Sequence, residues 1–370
     1  MERDNPLEIQ ELLDQCIDLV STSRQDLMAC SLVARSWVNT TQSHLFRVAP
    51  STPHFLSWRF FDTLVKFPHL IRHVHALTIR RPSDMDLINR IPFTHLESVG
   101  LVLTYETLEP WEDEQRFQLQ QTLSLPHLRI LSLFHRDRFS SFHRFFLHLS
   151  PTVQHLVLAC STWTAENLSA LRERLPHVPL KSLRLLFWDM GDLESFDDQL
   201  FYPFSMLRLE ALSIVESYRI PWNLIPKQTT ESIRVLEISI NVRNSPLDLS
   251  SFPNLSVIRL DGIKKAPAVC HTLSSLPFPR TIQTLVLGAQ CTCIRTTCAA
   301  LNQFLSTFEC STPLILEMEK FPHQSHSLEE DRKMFPIMML EDRLRVVIRS
   351  ADCSWWDETV LKPPRGIIGE

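Results

Sequence analysis

The stretch Leu128-Arg-Ile-Leu-Ser-Leu133 sets three leucines at its first, fourth and sixth positions. In extended backbone, side chains alternate between faces, so Leu131 and Leu133 share one face. Leu128 reaches the same side from the preceding turn. One strand this short is not stable alone, so the pattern matters through its recurrence. Outward from residue 128 it recurs at Val74-Leu77-Ile79, Leu96-Val99-Leu101, Val153-Leu156-Leu158, Leu180-Leu183-Leu185 and Leu209-Leu212-Ile214. It continues at Ile233-Leu236-Ile238, Leu255-Ile258-Leu260 and Ile282-Leu285-Leu287. From one triplet to the next the middle residue advances by 22 to 32 positions.

Nine triplets at that spacing resemble degenerate leucine-rich repeats, whose period is about 20–29 residues. The resemblance implies an α/β solenoid: parallel strands, with helices or turns on the outer face. A doubly wound α/β sheet is the alternative, although its βαβ units usually need about 30 residues or more. Segments between triplets read as helices. Leu168, Leu171 and Leu175 lie at helical spacing behind a cap at Thr164 or Ser161. Residues 109–123, 139–149, 266–276 and 296–308 look similar. Pro126, Pro151, Pro179 and Pro253 come shortly before triplets, where proline ends a helix and admits extended chain. Closing strands are expected at Leu314–Met318 and Arg345–Ile348. The reading divides the chain into a helical module at 1–50, the repeats at 51–350 and a tail at 351–370.

Composition narrows the function classes. A formal net charge of -5 and a pI near 6.3 offer no basic block for a phosphate backbone, so no nucleic-acid partner is expected. No apolar run approaches the roughly 20 residues that span a bilayer, so no membrane partner is expected either. The opening Met1-Glu-Arg-Asp4 does not look like a signal peptide. Nine scattered cysteines suit a reducing compartment, cytoplasmic and/or nuclear. Six glycines in the whole chain include no G-x-G-x-x-G, Walker-type loop or G-x-S-x-G, so no cofactor and no catalytic residue is assigned. Cys291-x-Cys293 with nearby Cys298 lacks the second ligand pair of structural zinc, and no metal is expected.

The first fifty residues differ in kind. Ile9, Leu12, Leu13, Cys16, Ile17 and Val20 recur at helical intervals. Ser23 or Thr22 caps a second helix running Asp26-Leu-Met-Ala-Cys-Ser-Leu-Val-Ala-Arg-Ser-Trp37, and a short third segment follows at Ser43–Arg47. The runs DLMACSLVARSW (26–37) and HLFR (44–47) resemble the F-box, particularly the variety found in fungal proteins. ELLDQCIDLV (11–20) resembles that family's first helix at Glu11, Leu12, Ile17 and Leu19. Glu8-Ile9 stands where the family's Leu-Pro opens that helix. The resemblance covers about forty residues, too few to bury a large core alone. It implies a Skp-type adaptor as partner and, through it, a cullin. The chain would then be a non-catalytic substrate receptor of a ubiquitin ligase. Leu12, Leu13, Ile17, Leu27, Leu32, Val33 and Trp37 are the candidate adaptor-binding residues. The alternative is a repeat scaffold for protein–protein interaction whose helical module only caps the repeats.

Strand alternation also marks a face pointing away from the triplet core. Its central row reads Thr78, Gly100, Ser132, Val157, Arg184, Ser213, Glu237, Arg259 and Val286. The next row is apolar from Val102 through Phe134, Ala159 and Leu186 to Val215. An apolar stretch beside charges is a recognition surface. Phe134, Arg184, Leu186, Glu237 and Arg259 are therefore the candidate client-binding residues, expected to be exposed. The alternative is that irregular turns fold over the apolar row and that Arg and Asp pair with each other.

Overall fold

The computed structural model describes residues 10–20, 23–49, 57–103, 112–135, 149–160, 178–186, 204–215, 225–239, 247–261, 266–289, 303–308, 314–319 and 344–349. Four helices come first: α1 (Gln10–Val20), α2 (Arg24–Cys30), α3 (Arg35–Phe46) and α4 (Trp58–Lys66). Then strands dominate: β1 (Ala76–Ile79), β2 (Ser98–Leu103), β3 (Ile130–His135), β4 (His155–Cys160), β5 (Val178–Pro179), β6 (Ser182–Leu186), β7 (Phe204–Ser205) and β8 (Ala211–Val215). They continue with β9 (Val235–Ser239), β10 (Val257–Asp261), β11 (Thr284–Ala289), β12 (Leu314–Glu319) and β13 (Leu344–Arg349). Between strands lie α5 (Asp84–Ile88), α6 (Asp113–Leu123), α7 (Lys227–Ser232) and α8 (Ala266–Ser274).

The fold is α/β, built on an eleven-stranded sheet whose strand pairs are all parallel. Its strands follow chain order, β1-β2-β3-β4-β6-β8-β9-β10-β11-β12-β13, while β5 and β7 pair separately. The order never reverses, so the sheet has no switch point of the doubly wound kind. Register follows the sequence pattern. Leu77, Val99, Leu131, Leu156, Leu183, Leu212, Leu236, Ile258 and Leu285 stand beside one another in consecutive strands. Leu314 and Leu344 extend this backbone row, so both expected closing strands are present.

All triplet residues are buried, none more than 4% exposed, and they form one continuous core. The main chain repeats with them. The carbonyl just before each strand accepts two N–H groups from the next repeat. His75 O receives Glu97 N (2.8 Å) and Ser98 N (2.9 Å), and Glu97 O receives Arg129 N (2.8 Å) and Ile130 N (3.0 Å). Arg129, Gln154, Lys181, Glu210, Arg234 and Ser256 act alike. Hydroxyls just before a triplet tie it to its predecessor: Thr152 Oγ1 donates to Leu128 O (2.8 Å), Ser232 Oγ to Leu209 O (2.7 Å) and Thr281 Oγ1 to Leu255 O (3.0 Å).

The helices depart from expectation most in the first fifty residues. The second helix does not run to Trp37; it ends at Cys30, and α3 begins at Arg35 and runs to Phe46, taking in most of the segment expected separately at Ser43–Arg47. Ser31 Oγ donates back to Met28 O at 2.6 Å, and Ala34 is extended (φ -154°, ψ 156°). A hydroxyl competing for a helical carbonyl favours a cap over a helix interior. Ser23 caps α2 as expected, accepting from Asp26 N at 3.2 Å. The segments 139–148, 161–177 and 291–302 and the tail 351–370 lie outside the described residues.

Candidate functional site

Two places carry the candidate residues: the N-terminal helices and the sheet face opposite the triplet core. In the helices, Leu13, Ile17 and Leu27 are buried at 1%, 0% and 3% exposure and pack into a small core of their own. Val20, Trp37 and Leu45 lean on it, half-buried. Polar ties close the bundle. Asp14 Oδ1 accepts from Thr40 Oγ1 (2.8 Å) and Gln10 Nε2 (2.6 Å), and His44 Nε2 lies 3.1 Å from Asp18 Oδ1. The seven candidate adaptor residues therefore divide. Leu13, Ile17 and Leu27 face inward and Trp37 covers them. Leu12, Leu32 and Val33 face solvent, at 40%, 86% and 64% exposure.

The exposed set is larger than the sequence reading assigned. Leu19 (83%) and Met28 (54%) join it. Leu12, Cys16 and Leu19 form an exposed stripe on α1 at i, i+4 and i+7. Met28 lies on α2, and Leu32 and Val33 in the turn after it. Single exposed apolar residues are ordinary, but five large ones within 22 residues of a small bundle make a surface suited to a partner. The apolar residues on the far side of α1 and α2 were the available signal for Leu19 and Met28.

On the sheet, the expected exposure of the central row is corrected. Ser132, Val157, Ser213, Glu237, Arg259 and Val286 are 0–5% exposed and Arg184 is 9% exposed. Strand alternation was read correctly, but this face is covered too, as parallel sheets usually are on both sides. Ile130, Val157, Ala211 and Val286 make a second apolar cluster there, with Leu186, Val235 and Val257 packed against it. Phe134 and Leu186 are half-buried.

The three charged candidates converge on one another. Four adjacent strands bring Arg184, Ser213, Glu237 and Arg259 into one row. Arg184 Nε lies 3.8 Å from Glu237 Oε2, and Arg259 Nε lies 3.4 Å from Glu237 Oε1. Ser213 Oγ donates to Glu237 Oε2 through a short hydrogen bond. The row is a buried ionic tie across β6, β8, β9 and β10, largely withdrawn from solvent.

Other polar clusters resolve into local pairs. Arg72 Nε donates to His73 Nε2 (3.2 Å), and His75 Nδ1 lies 3.4 Å from Glu97 Oε1. His75, His95 and His127 follow one another with ring centroids 6.4 and 6.2 Å apart. Among the described residues no group of three or more His, Cys, Asp or Glu side chains is placed to hold a metal ion. No described helix is long and apolar enough to cross a membrane. No protein-family model matches the chain, and no curated protein matches it.

Proposed function

We propose that the chain is a non-catalytic substrate receptor of a Skp–cullin–F-box type ubiquitin ligase, holding a Skp-type adaptor through its N-terminal helices and a client protein through its repeats. The observation that carries this reading is the exposed apolar surface of Leu12, Leu19, Met28, Leu32 and Val33 beside a very small internal core. Apolar side chains left in water at that density are stabilised by a partner that buries them. Resemblance over residues 11–47 supplies the partner's class. The in-order parallel strands favour a leucine-rich-repeat-like solenoid as the scaffold. Client contact falls to the half-buried Phe134 and Leu186, since Arg184, Glu237 and Arg259 are engaged together.

A second reading rests on a different observation. The helices run into the sheet edge with no break in the backbone pattern. Arg47 O accepts His75 N (2.9 Å) and Ala76 N (3.0 Å), as each repeat's carbonyl does for the next. On this reading the helices cap a repeat scaffold and bind no adaptor.

The two readings separate on Leu32→Asp/Val33→Asp in the full chain. The receptor reading expects an unchanged circular dichroism spectrum and melting temperature, with retention on an immobilised Skp-type adaptor lost. No retention of the unaltered chain would leave the cap reading.

A further inference from the structure

The charge that keeps this surface soluble is carried by arginine to an unusual degree. The sequence holds 29 arginines and 8 lysines, and residues 1–65 contain no lysine. Lysine is otherwise among the commonest residues of globular proteins. Some exposed arginines use a guanidinium's particular chemistry: Arg72 Nη2 donates to Asn39 Oδ1 at 3.0 Å, and Arg59 lies over the Trp58 ring at 5.6 Å. Others do not. Arg90, Arg129, Arg208 and Arg234 are exposed, and among the described residues their side chains have no hydrogen-bond or ion-pair partner. At such positions a lysine supplies the same charge to water.

The two cations differ in nucleophilicity. A lysine amine, once deprotonated, attacks acyl groups, whereas an arginine guanidinium stays protonated and does not. Resting on the receptor reading above, we infer that the chain's arginine-for-lysine surface keeps it from being modified by its own ligase, so that the ubiquitin carried there passes to the client. The step avoided is explicit. A lysine Nζ attacks the thioester carbonyl that links ubiquitin's C-terminus to the conjugating enzyme's cysteine. The N–C isopeptide bond forms, the C–S bond breaks, the cysteine thiolate leaves, and the amine gives up a proton.

Among the described residues the exposed lysines are Lys66, Lys181 and Lys227, which lie apart from Leu12–Val33 in sequence. Lys66 Nζ lies 2.7 Å from Asp62 Oδ2, and Lys227 Nζ lies 3.8 Å from Glu231 Oε1.

The test uses the full chain with a Skp-type adaptor, a cullin–RING assembly, a conjugating enzyme and ubiquitin. The unaltered chain is compared with a variant carrying Arg90→Lys, Arg129→Lys, Arg208→Lys and Arg234→Lys. Charge is conserved at exposed sites, so the melting temperature should be unchanged. Both proteins should be retained equally on the immobilised adaptor–cullin assembly. The variant should acquire ubiquitin several-fold faster, with isopeptides mapped by mass spectrometry to the new lysines. Equal retention with equally fast conjugation of the unaltered chain would overturn the inference and leave the receptor reading standing. If neither protein is retained, the receptor reading fails and the inference falls with it.

Discussion

Glu237 lies between two arginines in a row that water barely reaches. Removing one partner of a buried ion pair typically costs about 3–5 kcal/mol, because the remaining charge stays desolvated. Glu237→Gln keeps the shape but sets two guanidiniums across a neutral amide. We expect it to destabilise the chain by about 3 kcal/mol in urea denaturation, whereas replacing the exposed Glu210 should change little. His155 makes a second prediction. Its Nδ1 lies 2.8 Å from Ser182 Oγ, and burial, helped by the nearby Lys181 and Arg129 charges, pushes its pKa from 6.5 down to about 4. The folded chain therefore holds His155 neutral while the unfolded chain protonates it below the ordinary histidine value. Its contribution is complete above about pH 6.5, is lost as the pH falls towards about 4, and is level below that. The stability gap between the unaltered chain and His155→Gln should narrow by about 2–3 kcal/mol between about pH 7 and about pH 4.5. A gap independent of pH would contradict the assignment.

The elements divide their apolar residues in two directions. On α1, Leu13 and Ile17 face α2 and α3, while Leu12 and Leu19 face out. Substitutions should sort the same way. Ile17→Asp puts a charge into a small core whose fully buried members, among the described residues, are Leu13, Ile17 and Leu27, so the helices should lose their fold, read as a fall in helical circular dichroism. Leu32→Asp and Val33→Asp fall in an exposed turn and should shift stability by no more than about 0.5 kcal/mol. Their effect should appear only in adaptor retention. Helical spacing singled out Leu12, Leu13 and Ile17, and the resemblance over residues 26–37 supplied Leu27, Leu32, Val33 and Trp37, but neither separates core from surface. Apolar residues occur on more than one face of these short helices, and periodicity does not say which face meets a neighbour.

Across the whole molecule the sheet reaches back into the helices. Ala49 N donates to Ala76 O at 2.9 Å, and Val48 bridges to Ala76 in parallel, so residues 47–49 continue the sheet one step beyond β1. Phe46 stacks on Phe60 at 5.8 Å, Phe60 meets Phe61, and Phe61 meets Phe93. This aromatic series joins the end of α3 to the main core. A chain beginning at Thr52 loses those backbone bonds and opens the β1 edge, which invites strand pairing with other chains. It should melt at a lower temperature and aggregate on heating, as read by light scattering. An unchanged melting temperature would show that the first fifty residues are energetically separate. For this reason point variants in the full chain test adaptor binding more cleanly than truncation does.

The sequence by itself determined the strands of the large sheet, their parallel register and the inner core, but not the separate pair β5 and β7. The triplet Leu128-Leu131-Leu133 and its eight counterparts needed only the two-residue period of extended chain and a regular spacing. The closing strands at Leu314 and Leu344 and the Ser23 cap were legible for equally local reasons. Tertiary structure alone decided what covers the other face. Alternation tells which side Arg184, Glu237 and Arg259 project from, but not whether that side meets water. Burial depends on groups distant in sequence, and so does the convergence of Arg184 and Arg259, 53 and 22 residues away in sequence, on the Glu237 carboxylate. The division of the N-terminal leucines into core and surface followed the same rule, because it was fixed by where α3 packs.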